Sequence, residues 1–93
     1  MNDLETARIL GNHLRGWRKV LNLTAQQLAE RADINVDTLR RLELGRGGVS
    51  SLHLVAVLRA LGVTHKMVDA LDPLESDLGR ARIDQLARTR VRP

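Results

Sequence analysis

The chain has no cysteine, no phenylalanine and no tyrosine among its 93 residues, and Trp17 is its single aromatic. Without cysteine there is no disulfide staple and no thiolate metal site, and nothing points to an oxidising compartment. All-β domains lean on aromatic and β-branched side chains, so their scarcity argues for helices. No apolar run approaches the roughly 20 residues a membrane span needs. The longest, residues 52–61, is broken by His53 and Arg59. The opening Met1-Asn2-Asp3-Leu4-Glu5 is acidic and lacks the basic flank of a signal peptide, so a cytosolic location is expected. The histidines, His13, His53 and His65, have no metal-ligand spacing, and no cofactor or metal is expected. Serine, histidine and acid never cluster as a catalytic constellation would need, so no enzyme is expected.

What is present is one small core's worth of Leu, Ala and Val: 43% of residues are hydrophobic, too many for a disordered chain. The formal net charge is +4, from 15 Lys and Arg against 11 Asp and Glu. Residues 1–78 are neutral, with ten charges of each sign, so the excess lies in the Arg-rich end: Arg80, Arg82, Arg88, Arg90 and Arg92 against Asp84.

Apolar residues at spacings of three and four predict five helices. The first spans about residues 5–21, with Ile9, Leu10, Leu14, Trp17 and Leu21 on one face and Asn22 closing it in the left-handed region. Thr24, with Gln27 three residues on, reads as a capping box opening a second helix near 25–31. Asp33-Ile34 is the turn. Asn35 caps a third helix, with Leu39 and Leu42 inward and Gly45 at its end. Ser50 or Ser51 caps a fourth, with Leu54, Val55, Leu58 and Leu61 at helical spacing and Gly62 as its stop. A fifth runs over 64–71, with Met67, Val68 and Leu71 inward, until Asp72-Pro73 breaks it. Beyond lies a short extension and a flexible or conditionally helical tail. The expected organisation is an all-α five-helix domain over residues 1–72 and a C-terminal extension over 73–93.

The informative stretch is residues 23–45, LTAQQLAERADINVDTLRRLELG. Two short capped helices joined by a tight turn share Leu28, Ala29, Ile34, Leu39 and Leu42 as a small core. That leaves Val36, Asp37, Arg40 and Arg41 on the bare face of the second helix. An exposed helix start with two arginines suits the DNA major groove, where Arg pairs bidentately with guanine.

The pieces LRGWR (residues 14–18), LTAQQLAERA (23–32), INVDTLRRLELGR (34–46) and SLHLVAVLRALGV (51–63) occur in order and at regular spacing. Over about residues 10–63 the chain resembles the Cro/lambda-repressor-like helix-turn-helix family, also called XRE. The resemblance implies a repressor that binds double-stranded DNA as a homodimer on a palindromic operator. It places Val36, Asp37 and Arg41 against base edges, with the adjacent Arg40 in reach of a base or a phosphate. It places Asn35, Arg46 and the amides near the start of the fourth helix, about Gly47 to Ser51, near phosphates. It pairs Arg18 with Glu43 in a structural salt bridge. The sequence departs from the family where the second helix opens: Ala25 stands where Gln often clamps a phosphate, so Thr24 or Gln26 must substitute. Asp37 on the reading helix leaves base preference open. Met67, Val68, Leu71, Leu74 and Leu78 exceed what so small a core requires and are expected to hold a twofold interface. Size and the Arg-rich end also resemble HipB-type antitoxins, which repress their own operon and bind a HipA-like kinase toxin. The alternatives are a phage, mobile-element or restriction–modification controller regulator, or a protein-interaction module whose helix-turn-helix no longer reads DNA.

Overall fold

A computed structural model describes residues 1–91, with side chains through residue 88. The expected Arg92 therefore lies outside the described residues, as does the side chain of Arg90. The order is α1 (Asp3–Val20), α2 (Ala25–Ala32), α3 (Val36–Glu43), α4 (Ser51–Leu61), α5 (Thr64–Leu71), a 3₁₀ turn (Pro73–Glu75) and α6 (Asp77–Val91). The described residues contain no strand. None of their helices is long and apolar enough to cross a membrane.

Local chemistry sets most boundaries. Asn2 Oδ1 accepts from the Glu5 amide at 2.8 Å, so α1 starts two residues earlier than the apolar pattern suggests. Asp3 and Glu5 in its first turn and Arg18 and Lys19 in its last complement the helix dipole. Thr24 and Gln27 form the reciprocal capping box of α2, at 3.1 and 2.9 Å. Asp33 leaves α2 in the left-handed region (φ 56°), and the Ile34 amide reaches back to the Ala29 carbonyl at 3.0 Å. α4 is capped by Ser50 and closed the same way by Gly62 (φ 74°), with Val63 bonding back to Leu58.

The core centres on Leu28, Leu39 and Val57, one each from α2, α3 and α4, all fully buried. Leu14, Leu23, Ala29, Ala32, Leu58, Leu61 and Val63 surround them. α2 packs chiefly on α4, and α1 on α3. The α1–α3 contact is a backbone approach. A Cβ on Gly11 would meet the Leu42 and Glu43 carbonyl oxygens, the latter at 2.5 Å. At the other end of the contact Gly45 holds φ 69°, and its Cβ would meet Arg8 backbone atoms at 2.6 Å.

α3 ends as expected at Gly45, which turns left-handed (φ 69°) one residue past the Leu44 cap. Several other expectations are corrected. In α4 the buried register is 57, 58 and 61, so Val57 is inward and Val55 outward. SLHLVAVLRAL is apolar on most sides, and packing, chiefly against α2, selects the face. In α5 only Met67 packs on the core, while Val68 and Leu71 face outward. That helix has just two turns and no side-chain cap; it packs on α4 and the following 3₁₀ turn, with Lys66 5.6 Å from the Trp17 ring of α1. Val36 is half-buried against the core rather than bare. Beyond Pro73 the described residues form the 3₁₀ turn and a sixth helix, Asp77–Val91, the helical alternative of the expected tail. Asp72 caps the 3₁₀ turn, and the Gly79 amide donates to Ser76 Oγ at 2.9 Å in the first turn of α6. A Cβ on Gly79 would run into the Pro73 carbonyl, so glycine is what lets the turn fold back on α6.

Candidate nucleic-acid interface

α3 stands on the surface along its outer side because its inner side is held by Leu39, with Val36 and Leu42 packed beside it. The outward side chains are Asp37, Arg40 and Arg41, all exposed. Asp37 Oδ1 lies 3.6 Å from an Arg40 guanidinium nitrogen, a loose one-turn ion pair. Asn35 spends its side chain on its own helix, accepting from the Asp37 amide at 2.7 Å.

The two adjacent arginines part company. Arg40 turns toward α1, where it lines a cleft of about 260 Å³ with Arg15, Arg18, Ala25, Glu43 and Leu44. Arg41 turns toward the loop into α4, its guanidinium 3.8 Å from where a Cβ on Gly48 would stand. The Arg46 amide donates to the Arg41 carbonyl at 2.9 Å, which folds that loop under the end of α3. Arg46 and Ser51 are exposed at this end. Thr24 and Gln26 lie at the start of α2: Thr24 is engaged in its capping box, and Gln26 donates to Glu30 at 3.3 Å.

Behind the outward face, one guanidinium ties three segments. Arg18 Nε donates to Glu43 Oε2 at 2.8 Å and Nη2 to Oε1 at 3.0 Å, a parallel fork between α1 and α3. Its Nη1 donates to the Leu23 carbonyl at 3.1 Å, fixing the turn into α2. Both side chains are largely shielded, 13% and 7% exposed. Hydrogen bonding to the Glu43 carboxylate, aided by its charge and opposed by partial burial, raises the Arg18 pKa above its ordinary value. The charges on Arg18 and Glu43 therefore cancel locally. Arg15, Arg40, Arg41 and Arg46 are left as exposed cations around α3, with Asp37 the acid among them.

The residues expected to form a twofold interface occupy consecutive elements: Met67, Val68 and Leu71 on α5, Leu74 on the turn, and Leu78 on α6. All but Met67 are at least half exposed. Gly11 and Arg15 are parts of this region that the sequence reading did not assign to it, whereas Gly48 lies in the loop expected to offer its amides to phosphate. Gly11 had a signal: it shares a helical face with Leu14 and Arg18, where a core-facing glycine marks a close backbone approach. Arg15 had none, because its partner across the cleft is distant in sequence.

This is a capped helix, a left-handed turn and a second capped helix, with an exposed, arginine-bearing outer face. No curated protein and no solved structure matches the chain. The sequence model of the helix-turn-helix domain family matches residues 9–71, well over half of it. The chain belongs to the helix-turn-helix domain family of DNA-binding regulators.

Proposed function

We propose that the protein is an XRE-type transcriptional repressor that binds a palindromic operator as a homodimer and acts on its own promoter. The observation that carries this is the outer face of α3: Asp37 and Arg41 stand exposed on a helix whose other side is anchored by Leu39. A helix held in this way can be laid into the major groove without losing its packing. In this reading Arg41 donates to guanine and Asp37 accepts from cytosine, with the exposed part of Val36 touching a neighbouring base. Arg46, Ser51 and the amides of the loop between them face the phosphates on one side. Thr24, Gln26 and Asn35 lie toward the other side; the side chains of Thr24 and Asn35 accept capping bonds, which leaves phosphate contact chiefly to Gln26.

One such helix offers too small an interface for tight specific binding, and a second half-site supplies the missing contacts. The exposed run of Val68, Leu71, Leu74 and Leu78 supports a twofold interface along residues 67–78. Residues 1–72 would then act as the DNA-reading unit and 73–93 as the extension that joins or recruits. The Arg-bearing α6 favours the narrower reading of a HipB-type antitoxin whose extension meets a kinase-like toxin. Its described side chains past Gly79 are exposed.

The test is selection of bound duplexes from a random pool, followed by titration of the selected duplex and a scrambled one. The expected result is a palindrome with half-sites one helical turn apart, and lost discrimination on Arg41→Ala. No enrichment at low salt, or enrichment unaffected by Arg41→Ala, refutes the repressor reading.

A further inference from the structure

The cleft between α1 and α3 has a charge pattern that base reading does not require. Its floor is the Arg18–Glu43 fork, already neutral, with its donors committed to Glu43 and Leu23. Ala25 contributes only a methyl group, and Leu44 closes the lower edge. Arg15 comes from α1 and Arg40 from α3. Arg15 has no ion pair among the described residues, and Arg40 has only the exposed contact to Asp37. Two guanidinium groups from different helices thus line one cleft whose single acid, Glu43, is spent. Like charges brought together in this way repel unless an anion lies between them. Through the exposed Arg40 the cleft adjoins the outer face of α3.

We propose that this cleft seats one phosphate of the DNA backbone, gripped by Arg15 and Arg40. The assignment rests on the DNA-binding reading and deepens it by dividing the labour between neighbouring arginines. Arg40 points away from the side that Arg41 covers, so Arg40 fixes the position of the duplex and Arg41 reads its sequence. Asp37 holds the Arg40 guanidinium near its helix in the free protein and yields it when a phosphate, a stronger multidentate acceptor, arrives. Ala25 leaves the space that a longer side chain at the start of α2 would fill, and Arg15 reaches into it from α1.

The two roles separate by experiment, because a phosphate contact is indifferent to sequence and sensitive to salt, whereas a base contact changes discrimination. The full chain is titrated with the selected duplex and with a scrambled duplex across a salt series, by fluorescence anisotropy. Variants are Arg15→Ala, Arg15→Lys, Arg40→Ala and Arg41→Ala, each checked by thermal unfolding. The side chains of Arg15, Arg40 and Arg41 are exposed, so the fold should survive. Arg15→Ala and Arg40→Ala should each weaken both duplexes by the same factor and reduce the log–log salt slope by about one. Arg15→Lys should keep the slope, and Arg41→Ala should lower the preference for the selected duplex. A wild-type protein that binds DNA while Arg15→Ala leaves the slope unchanged overturns the cleft assignment and leaves the repressor reading standing. So does an Arg40→Ala variant that loses more on the selected duplex than on the scrambled one. A wild-type protein that binds neither duplex overturns both.

Discussion

Glycine-to-alanine substitution at two positions of α1 should move stability in opposite directions. Gly11 and Gly16 both lie in the helix interior, where replacing glycine by alanine gains about 0.5–1 kcal/mol of helix stability. At Gly16 a new methyl group meets no heavy atom within 4 Å, so the gain is collected in full. At Gly11 it lands on backbone: Glu43 O at 2.5 Å, Glu43 C at 2.7 Å, and the Leu42 oxygen closer still. Ordinary contact of this kind needs about 3.4 Å or more, so α1 and α3 must separate by nearly an ångström. Carbonyls cannot swing aside as a flexible side chain would. Overpacking of a rigid contact costs about 1–3 kcal/mol, and here the separation also lengthens the Arg18–Glu43 fork. The net expectation for Gly11→Ala is a loss of about 1–2 kcal/mol, against a gain of about 0.5–1 kcal/mol for Gly16→Ala. In a chain this size each kcal/mol moves Tm by about 4–8 °C, so the two variants should straddle the wild type in a thermal scan. Urea unfolding with an unchanged m-value would assign the effect to stability. Stabilisation by both variants to a similar degree would refute the backbone contact between α1 and α3.

Other outcomes follow from the same geometry. A double-mutant cycle on Arg18→Met and Glu43→Gln should give a coupling of about 1–3 kcal/mol, above the range of exposed pairs, because the fork is shielded and bidentate. Since the Arg18 pKa is raised on folding, its contribution is fully present below the ordinary arginine value and is lost only as pH rises through the raised one. Urea midpoints of wild type and Arg18→Met should therefore keep a constant offset in any neutral-to-mildly-alkaline titration of this group. Thr24→Ala should cost about 1 kcal/mol by removing the hydroxyl half of the capping box, and Thr24→Ser should restore most of it. Truncation after residue 72 should leave thermal unfolding of the α1–α4 core nearly unchanged and abolish self-association in sedimentation. An unchanged oligomer would remove Leu74 and Leu78 from the interface.

The helix-turn-helix was legible because its instructions are local. Thr24 and Gln27 sit three apart, Asn35 precedes an apolar-periodic run, and Asp33 stands where the backbone needs a left-handed residue. Each is decided within a turn of chain. Val57 was not legible, because α4 offers two apolar faces and packing, chiefly against α2, chooses between them. Val68 and Leu71 carry an apolar pattern that reads as inward, yet nothing among the described residues buries them. α6 was legible only as one of two alternatives, a flexible or a conditionally helical tail, because its apolar residues do not line up on one face. What opens it is a glycine fitting under the Pro73 carbonyl, a steric fact with no periodicity. The divergence of Arg40 and Arg41 was equally hidden. Successive residues on a helix differ by about 100° in direction, but which direction meets α1 depends on a packing the pattern does not contain.

The pairing of Gly45 with the Arg8 backbone has a meaning for how related chains can be compared. The distance from the first helix to the reading helix is set by the absence of two side chains, one at Gly11 and one at Gly45. A chain with a larger residue at either place must hold its third helix farther out, or tilt it. It would then present the same outward residues to DNA along a different line. The residue types at these two positions thus work as a gauge of how closely α3 can lie against α1. Specificity inferred by aligning only the outward residues should transfer between chains that share both glycines, and fail between chains that do not.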